Sequence, residues 1–278
     1  MTSAVPFVLC ADDYGLAPGV SRAILDLIGR GRLSATSCMT VTPFWREHAA
    51  WLKPLADKAD IGLHLTFTDH APLAPRPSTA PGGHFPAIGA LIKRAYQGRL
   101  DGAEIRAEVA RQIDAFTDAF GRPPAFLDGH QHAHLLPTLR DAVVEAARRL
   151  PGAYVRNCAE PWAAVMRQGV ETPKALVISG LGIGFRRLAR RRGLPMNRRF
   201  RGVYDFSGRI PFDNLMARFT ADLAPGTLIM VHPGAVDDDL RAVDRVTDQR
   251  AVEYAYLKGE AFGKLLEKQR LRVARFGG

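Results

Sequence analysis

Four continuous apolar runs in this chain each end in acidic or histidine residues: VLCADD at Asp12 and Asp13, IGLHL around His64, AFLDGHQHAH with Asp128, His130, His132 and His134, and LIMVHPG at His232. Runs without polar alternation predict strands buried on both faces, as in a parallel sheet. The ends of such strands are where α/β folds gather their chemistry. Between the runs the spacing turns helical. Val20, Ile24 and Leu27 mark a first helix, and residues 34–41 read as a second strand, so the chain is predicted to open as a βαβ unit. Ile105, Val109, Ile113, Phe116 and Phe120 mark one face of a helix that Gly121, Pro123 and Pro124 stop before the AFLDG strand. Pro137 opens the next helix, with Leu139, Val143, Ala147 and Leu150 as its buried positions. A short strand at 154–157 and a final helix over 249–268 complete the pattern. The alternation predicts a single α/β domain over residues 1–278, with a parallel sheet and right-handed crossovers. Polar residues at many strand ends favour a barrel over an open doubly wound sheet.

Composition narrows this picture. With 278 residues, 47% of them hydrophobic, the chain can bury a large core. No run approaches the roughly 20 apolar residues that a membrane-spanning helix needs. Cys10, Cys38 and Cys158 are isolated and lack C-x-x-C spacing, which argues against a disulfide framework and a thiolate zinc site. Asp12 arrives before any basic-then-apolar leader could precede it, so a reducing, cytoplasmic setting is expected. The net charge is +10, yet eight arginines and no acid lie between Arg186 and Arg201, leaving only +2 for the rest. Phe200 is the only aromatic among them, so base stacking has little support and nucleic acid is not an expected partner. The segment reads first as an exposed, partly mobile connection. Its second reading is a peripheral contact with an anionic membrane surface. Residues 70–89, with five prolines and three glycines, predict a long loop, either a flap over substrate or a surface insertion. The glycines of SGLGIG (180, 182 and 184) do not have the spacing of a dinucleotide-binding turn. The oligomeric state is open, with a homodimer among the options.

Adjacent residues on a strand point to opposite faces, so Asp12 and Asp13 serve one site only if the strand ends there, and Gly15 is placed to let it turn. Such a pair suggests division of labour: one carboxylate binds a metal and the other accepts a proton. A helix cap is the plainer alternative for DDYG taken alone. On an extended strand Asp128, His130, His132 and His134 would share one face, with one or two of the histidines reaching a metal. That many polar groups on one buried face would be costly without a function. His64 becomes a natural additional ligand, and His232, before Pro233 and Gly234, a proton donor to a leaving group. A phosphoesterase would use the same ligand types. A glycosidase needs carboxylates about 5–9 Å apart across a sugar bond, which neighbouring aspartates suit poorly.

Taken together and in order, ADDYGL, IGLHL, FLDGHQHAHLLP and MVHPG resemble the YdjC-like carbohydrate deacetylase family, which includes chitooligosaccharide and hopanoid-glycolipid deacetylases. The resemblance implies an irregular TIM-like (β/α) barrel that removes the N-acetyl group of an amino sugar, in an oligosaccharide or a glycolipid, with one divalent metal ion, Zn²⁺ or Mg²⁺. It implies Asp13, His64 and His130 as metal ligands, Asp12 as general base and His232 as general acid. Arg156, in YVRNCAEP, resembles an arginine that the family places near the pocket. Asp128, His132 and His134 would stand behind the ligands or on the substrate wall.

Overall fold

A computed structural model describes residues 4–76 and 78–278. Pro77, inside the predicted 70–89 loop, lies outside the described residues. The strands β1 (Val5–Tyr14), β2 (Ala35–Cys38), β3 (Asp60–Leu65), β4 (Phe126–Gly129), β5 (Tyr154–Val155), β6 (Arg199–Arg201) and β7 (Thr227–Val231) form one all-parallel sheet in the order β5-β4-β3-β2-β1-β7-β6. A last strand, β8 (Leu271–Val273), pairs with the start of β1. Helices α1 (Pro18–Gly29) and α2 (Trp45–Leu52) follow β1 and β2. α3 (Ile88–Tyr96) and α4 (Gly102–Phe120) separate β3 from β4. α5 (Leu139–Ala147) follows β4, and α6 (Trp162–Gln168) and α7 (Thr172–Arg191) join β5 to β6. α8 (Phe212–Thr220) precedes β7, and α9 (Asp238–Val243), α10 (Asp248–Lys258) and α11 (Glu260–Gln269) follow it.

The local rules account for most boundaries. Pro18 opens α1, whose Val20, Ile24 and Leu27 are fully buried against the sheet. The Asp101 carboxylate caps α4 by accepting from the Ala103 and Glu104 N–H groups, and Gly121 ends that helix in the left-handed region at φ 90°. β3 and β4 pack closely because Gly62 has no side chain. A Cβ there would stand 2.4 Å from the Phe126 ring.

Three expectations change. The sheet curls as a half-barrel and is not closed by a strand ladder. β5 has only two residues, and it meets the approach to β6 through one isolated bridge, Val155 to Met196. The seam is tied instead by side chains: Asn197 Oδ1 accepts from the Asn157 N–H at 2.8 Å, and Asn197 Nδ2 donates to the Asn157 carbonyl at 2.7 Å. The final helix is two helices, α10 and α11, separated at Gly259. The arginine-rich stretch is no loose connection: its first half is the end of α7, and Arg201 is buried in β6, where it pairs with Glu160 at 3.4 Å. The described residues 70–76 and 78–87 carry no helix or strand and are tied to α4 by Glu108 and Glu104, which accept from the Leu73 and Thr79 N–H groups at 3.0 and 2.8 Å.

Candidate metal centre

The site lies at the carboxyl ends of β1, β3, β4 and β7. β1 makes it possible through a bulge. Between Ala11 and Tyr14 its register against β2 slips, and Asp13 takes φ 65°, a conformation aspartate tolerates better than most residues. The distortion lets consecutive carboxylates reach one imidazole, because His64 forms a compact donor group with Asp13 and His130 on one side and with Asp12 and Asp128 on the other.

His64 is oriented by what stands behind it. Its Nδ1 meets Asp128 Oδ1 at 2.7 Å, leaving Nε2 to face Asp13 Oδ1 at 3.4 Å. His130 Nδ1 approaches the same Asp13 oxygen at 3.1 Å. One donor atom from each of the three, two imidazole nitrogens and one carboxylate oxygen, lies within 4.8 Å of the others, a set that could hold a metal ion and that suits Zn²⁺-type ions better than Mg²⁺. The carboxylates around His64 favour positive charge at this point. Burial opposes charge on His64, but Asp128 and Asp12, with hydrogen bonds to Asp128 and Asp13, raise its pKa to about 10. Burial would raise the Asp13 carboxyl, yet Arg250 and His130 hold it well below the usual carboxylate range.

A second layer of charge fixes the first. Arg156 is wholly buried; its guanidinium grips Asp12 with Nη1 to Oδ2 at 2.6 Å and Nη2 to Oδ1 at 2.5 Å, and pairs with Asp128 Oδ2 at 2.6 Å. Ser37 also donates to Asp128 Oδ1. Burial works against ionisation of Asp128, but Arg156 and His64 keep its carboxyl well below normal.

The other histidines separate. After Gly129 the chain leaves the strand for a tight 3-10 turn over His130–Leu135, with Gln131 and His132 at φ 51° and 60°. The expected single face of Asp128, His130, His132 and His134 therefore does not exist. The His132 ring stands edge-on to Phe200 at 5.5 Å. His134 turns back into the core, edge-on to Phe185, with Nε2 at 3.1 Å from the Arg156 carbonyl oxygen. Burial lowers its pKa to about 4.

His232 follows β7. Its ring lies edge-on to Phe206 at 4.9 Å and its buried Nδ1 has no hydrogen-bond partner among the described residues. Burial lowers its pKa to about 4 against the pull of Asp13 and Asp12. Two residues of α10 complete the site and escaped the sequence reading. Arg250 bridges Asp13 and Asp244, with Nη2 at 2.6 Å from an oxygen of each. Glu253 accepts the His232 N–H at 2.6 Å and a hydrogen bond from the Tyr204 hydroxyl. Their signal was present: Arg250, Glu253 and Leu257 form one buried helical stripe with two charges on it. His70, at the start of the long loop, also reaches the site, its ring 6.2 Å from that of His130. A cavity of about 480 Å³ between α2 and α4, lined by Arg46, Arg111, Asp114 and Asp118 among others, contains none of these groups.

The sequence profile of the YdjC-like protein family matches residues 6–268. The chain belongs to the YdjC-like family. Among curated relatives, the chitooligosaccharide deacetylase of Yersinia pestis (strain Pestoides F) is 35% identical over 145 residues, 51% of this chain and 55% of that protein. The enzyme of the same description from Serratia marcescens is 34% identical over 149 residues, 54% of this chain and 58% of the relative. The chain thus aligns with a little over half the length of these relatives. A crystal structure from Enterococcus faecalis V583, of a candidate cellobiose-phosphate cleavage protein, superposes with TM-score 0.74 at 20% identity over 98% of both chains. That likeness establishes the fold of this YdjC-like protein and nothing of its chemistry.

Proposed function

We propose that this YdjC-like protein hydrolyses the N-acetyl group of an N-acetylated amino sugar, carried on an oligosaccharide or a glycolipid, as a single cytoplasmic catalytic unit using one divalent metal ion. The observation that carries the reading is the convergence of Asp13, His64 and His130 beside an Asp12 clamped by Arg156. The deacetylase relatives support it.

Asp13, His64 and His130 would hold the ion, which supplies the Lewis acidity that amide hydrolysis needs at neutral pH. Asp12 is the acceptor for a proton of the attacking water, and the bidentate Arg156 keeps its carboxylate in one orientation. His232, whose buried Nδ1 has no hydrogen-bond partner among the described residues, would exchange a proton with the departing nitrogen through its ring. Negative charge developing on the attacked carbonyl oxygen would raise the proton affinity of that imidazole, neutral in the resting site, so that it would take up a proton from solvent and pass it to the departing nitrogen, while the water proton stays on Asp12 until the acetate leaves. Acetate and a free amino sugar result. Arg250 holds Asp13 from the side opposite His130, and Glu253 fixes the backbone of His232.

Acetate release from chitobiose, longer chitooligosaccharides and N-acetylglucosaminyl lipids, with chelated and metal-restored protein side by side, tests the proposal. Metal-dependent release from at least one is the expected result. Asp12→Asn should keep the metal and lose about 10²–10⁴-fold in turnover, whereas His64→Ala should lose the metal. Bound metal without acetate release from any of these substrates would overturn the assignment.

A further inference from the structure

The exposed surface of α6 and α7 has a composition that the proposed reaction does not use. Trp162 is 73% exposed, Val177 62% and Met166 54%, and Leu176 and Ile183 are exposed as well. The buried positions of α7 are Ile178, Ser179, Gly182, Phe185 and Ala189. Its outer stripe therefore runs Leu176, Gly180, Ile183, Arg187, Arg190, in steps of three and four, with Val177 and Arg191 beside it. The stripe changes character along its length: apolar in the first half, cationic in the second. α7 has 20 residues and spans about 30 Å, so the apolar and cationic halves are separate platforms on one helix.

The cations lack counter-charges. Among the described residues, no carboxylate pairs with Arg187, Arg190 or Arg191, whereas the exposed Arg149, Arg209 and Arg241 each hold one. Arg186, beside them, has its pKa lowered by partial burial and then by Arg190, Arg187 and Arg199, the mark of cations crowded against one another. Arg140 of α5 comes alongside, with Nη1 3.1 Å from where a side chain on Gly184 would begin. Arg140, Arg187 and Arg191 then surround a depression of about 290 Å³ that also borders Asp141. The Nε of Arg140 is buried with no hydrogen-bond partner among the described residues.

We propose that this face docks on an anionic lipid bilayer, with Trp162, Met166, Leu176, Val177 and Ile183 entering the headgroup boundary and Arg187, Arg190, Arg191 and Arg140 meeting lipid phosphates. Charge complementarity selects the partner. A second copy of the chain would bring an equally basic face, whose bordering Asp141 is outnumbered by Arg140, Arg187 and Arg191. Nucleic acid would answer the arginines and leave the apolar half in water. A bilayer boundary satisfies both halves, since tryptophan and aliphatic side chains insert at headgroup depth while arginines extend to phosphate. The docking does not depend on the deacetylase reading.

The test is cosedimentation of the full chain with phosphatidylcholine vesicles, with and without phosphatidylglycerol, at low and high salt. Binding should require the anionic lipid and weaken as salt rises. Each arginine near such a surface strengthens binding by about fivefold, so Arg187→Ser, Arg190→Ser and Arg191→Ser together should lose about 100-fold. Brominated lipid should quench the wild-type emission at Trp162, and a Trp162→Phe variant should lose that component, a readout that survives if a multiple variant folds poorly. Absence of binding to anionic vesicles would overturn the proposal, as would wild-type affinity in the triple variant. So would a Trp162-dependent dimer in lipid-free ultracentrifugation, tighter retention on duplex DNA than on vesicles, or thermal stabilisation by inorganic phosphate without vesicle binding.

Discussion

Two groups of arginine in this protein stand in opposite conditions. Arg156 and Arg250 are buried as deeply as core leucines, and each touches two carboxylates. Arg187, Arg190 and Arg191 lie in water and touch none among the described residues. The first group is bound to the folded core because removing one cation strands two buried anions. The second costs the fold little and remains available to an outside partner. In the sequence both are simply positive charge, and eight of the net +10 lie in the Arg186–Arg201 segment to which the second group belongs.

The largest expected effect tests the buried group. Arg156→Met should lower stability by about 3–5 kcal/mol, because Asp12 and Asp128 keep their charges without a cation; urea unfolding measures it. Unchanged stability would show that the pair tolerates isolation and would dissolve the contrast.

Glu253 adds a pH dependence. Burial raises its pKa to about 7, against hydrogen bonds from Tyr204 and the His232 N–H that lower it. A carboxyl raised above its unfolded value of about 4.3 binds its proton more tightly in the native state. Its full contribution is present below that unfolded value and is lost as pH climbs through 7, amounting to about 4 kcal/mol in all. Melting temperature should therefore fall between about pH 4.5 and 7 in the wild type, and Glu253→Gln should flatten that slope while still accepting the His232 N–H.

A smaller effect is expected behind the ligands. Asp128→Asn should weaken metal retention by about 10–100-fold, read by competition with a chelator, because His64 loses the charge that orients it. Smallest of all, Arg187→Ser, Arg190→Ser and Arg191→Ser should each shift stability by no more than about 0.5 kcal/mol. A large loss from any of them would mean that these arginines have structural partners after all.

Much of the site was legible before folding because strand ends are written locally. Continuous apolar runs betray buried parallel strands, and whatever polar residue follows must stand at an edge. Asp13, His64, His232 and the histidine run that contains His130 were singled out in this way, and the structure brings Asp13, His64, His130 and His232 to one end of the sheet. The histidine run was misread for a local reason too: alternation assumes extended backbone, and with two left-handed residues at Gln131 and His132 the chain sends His130 to Asp13 and turns His132 and His134 toward Cys158. Arg250 and Glu253 were missed for a distant one. Arg250 meets Asp13 across 237 positions of sequence, and nothing near either residue names the other. Barrel closure was over-read, since polar strand ends say where chemistry sits and not whether β5 is long enough to pair with its neighbour.

By itself the sequence determined the alternation of strands and helices, the strand ends that carry chemistry and the place of the excess charge. These follow from periodicity and composition, which act over a few residues. Only the tertiary structure decided which carboxylate each arginine neutralises, which nitrogen of His64 is left for a ligand, and whether the basic helix faces core or water. Those depend on distances between chain segments, and burial turns such distances into energy by removing the water that would otherwise screen them.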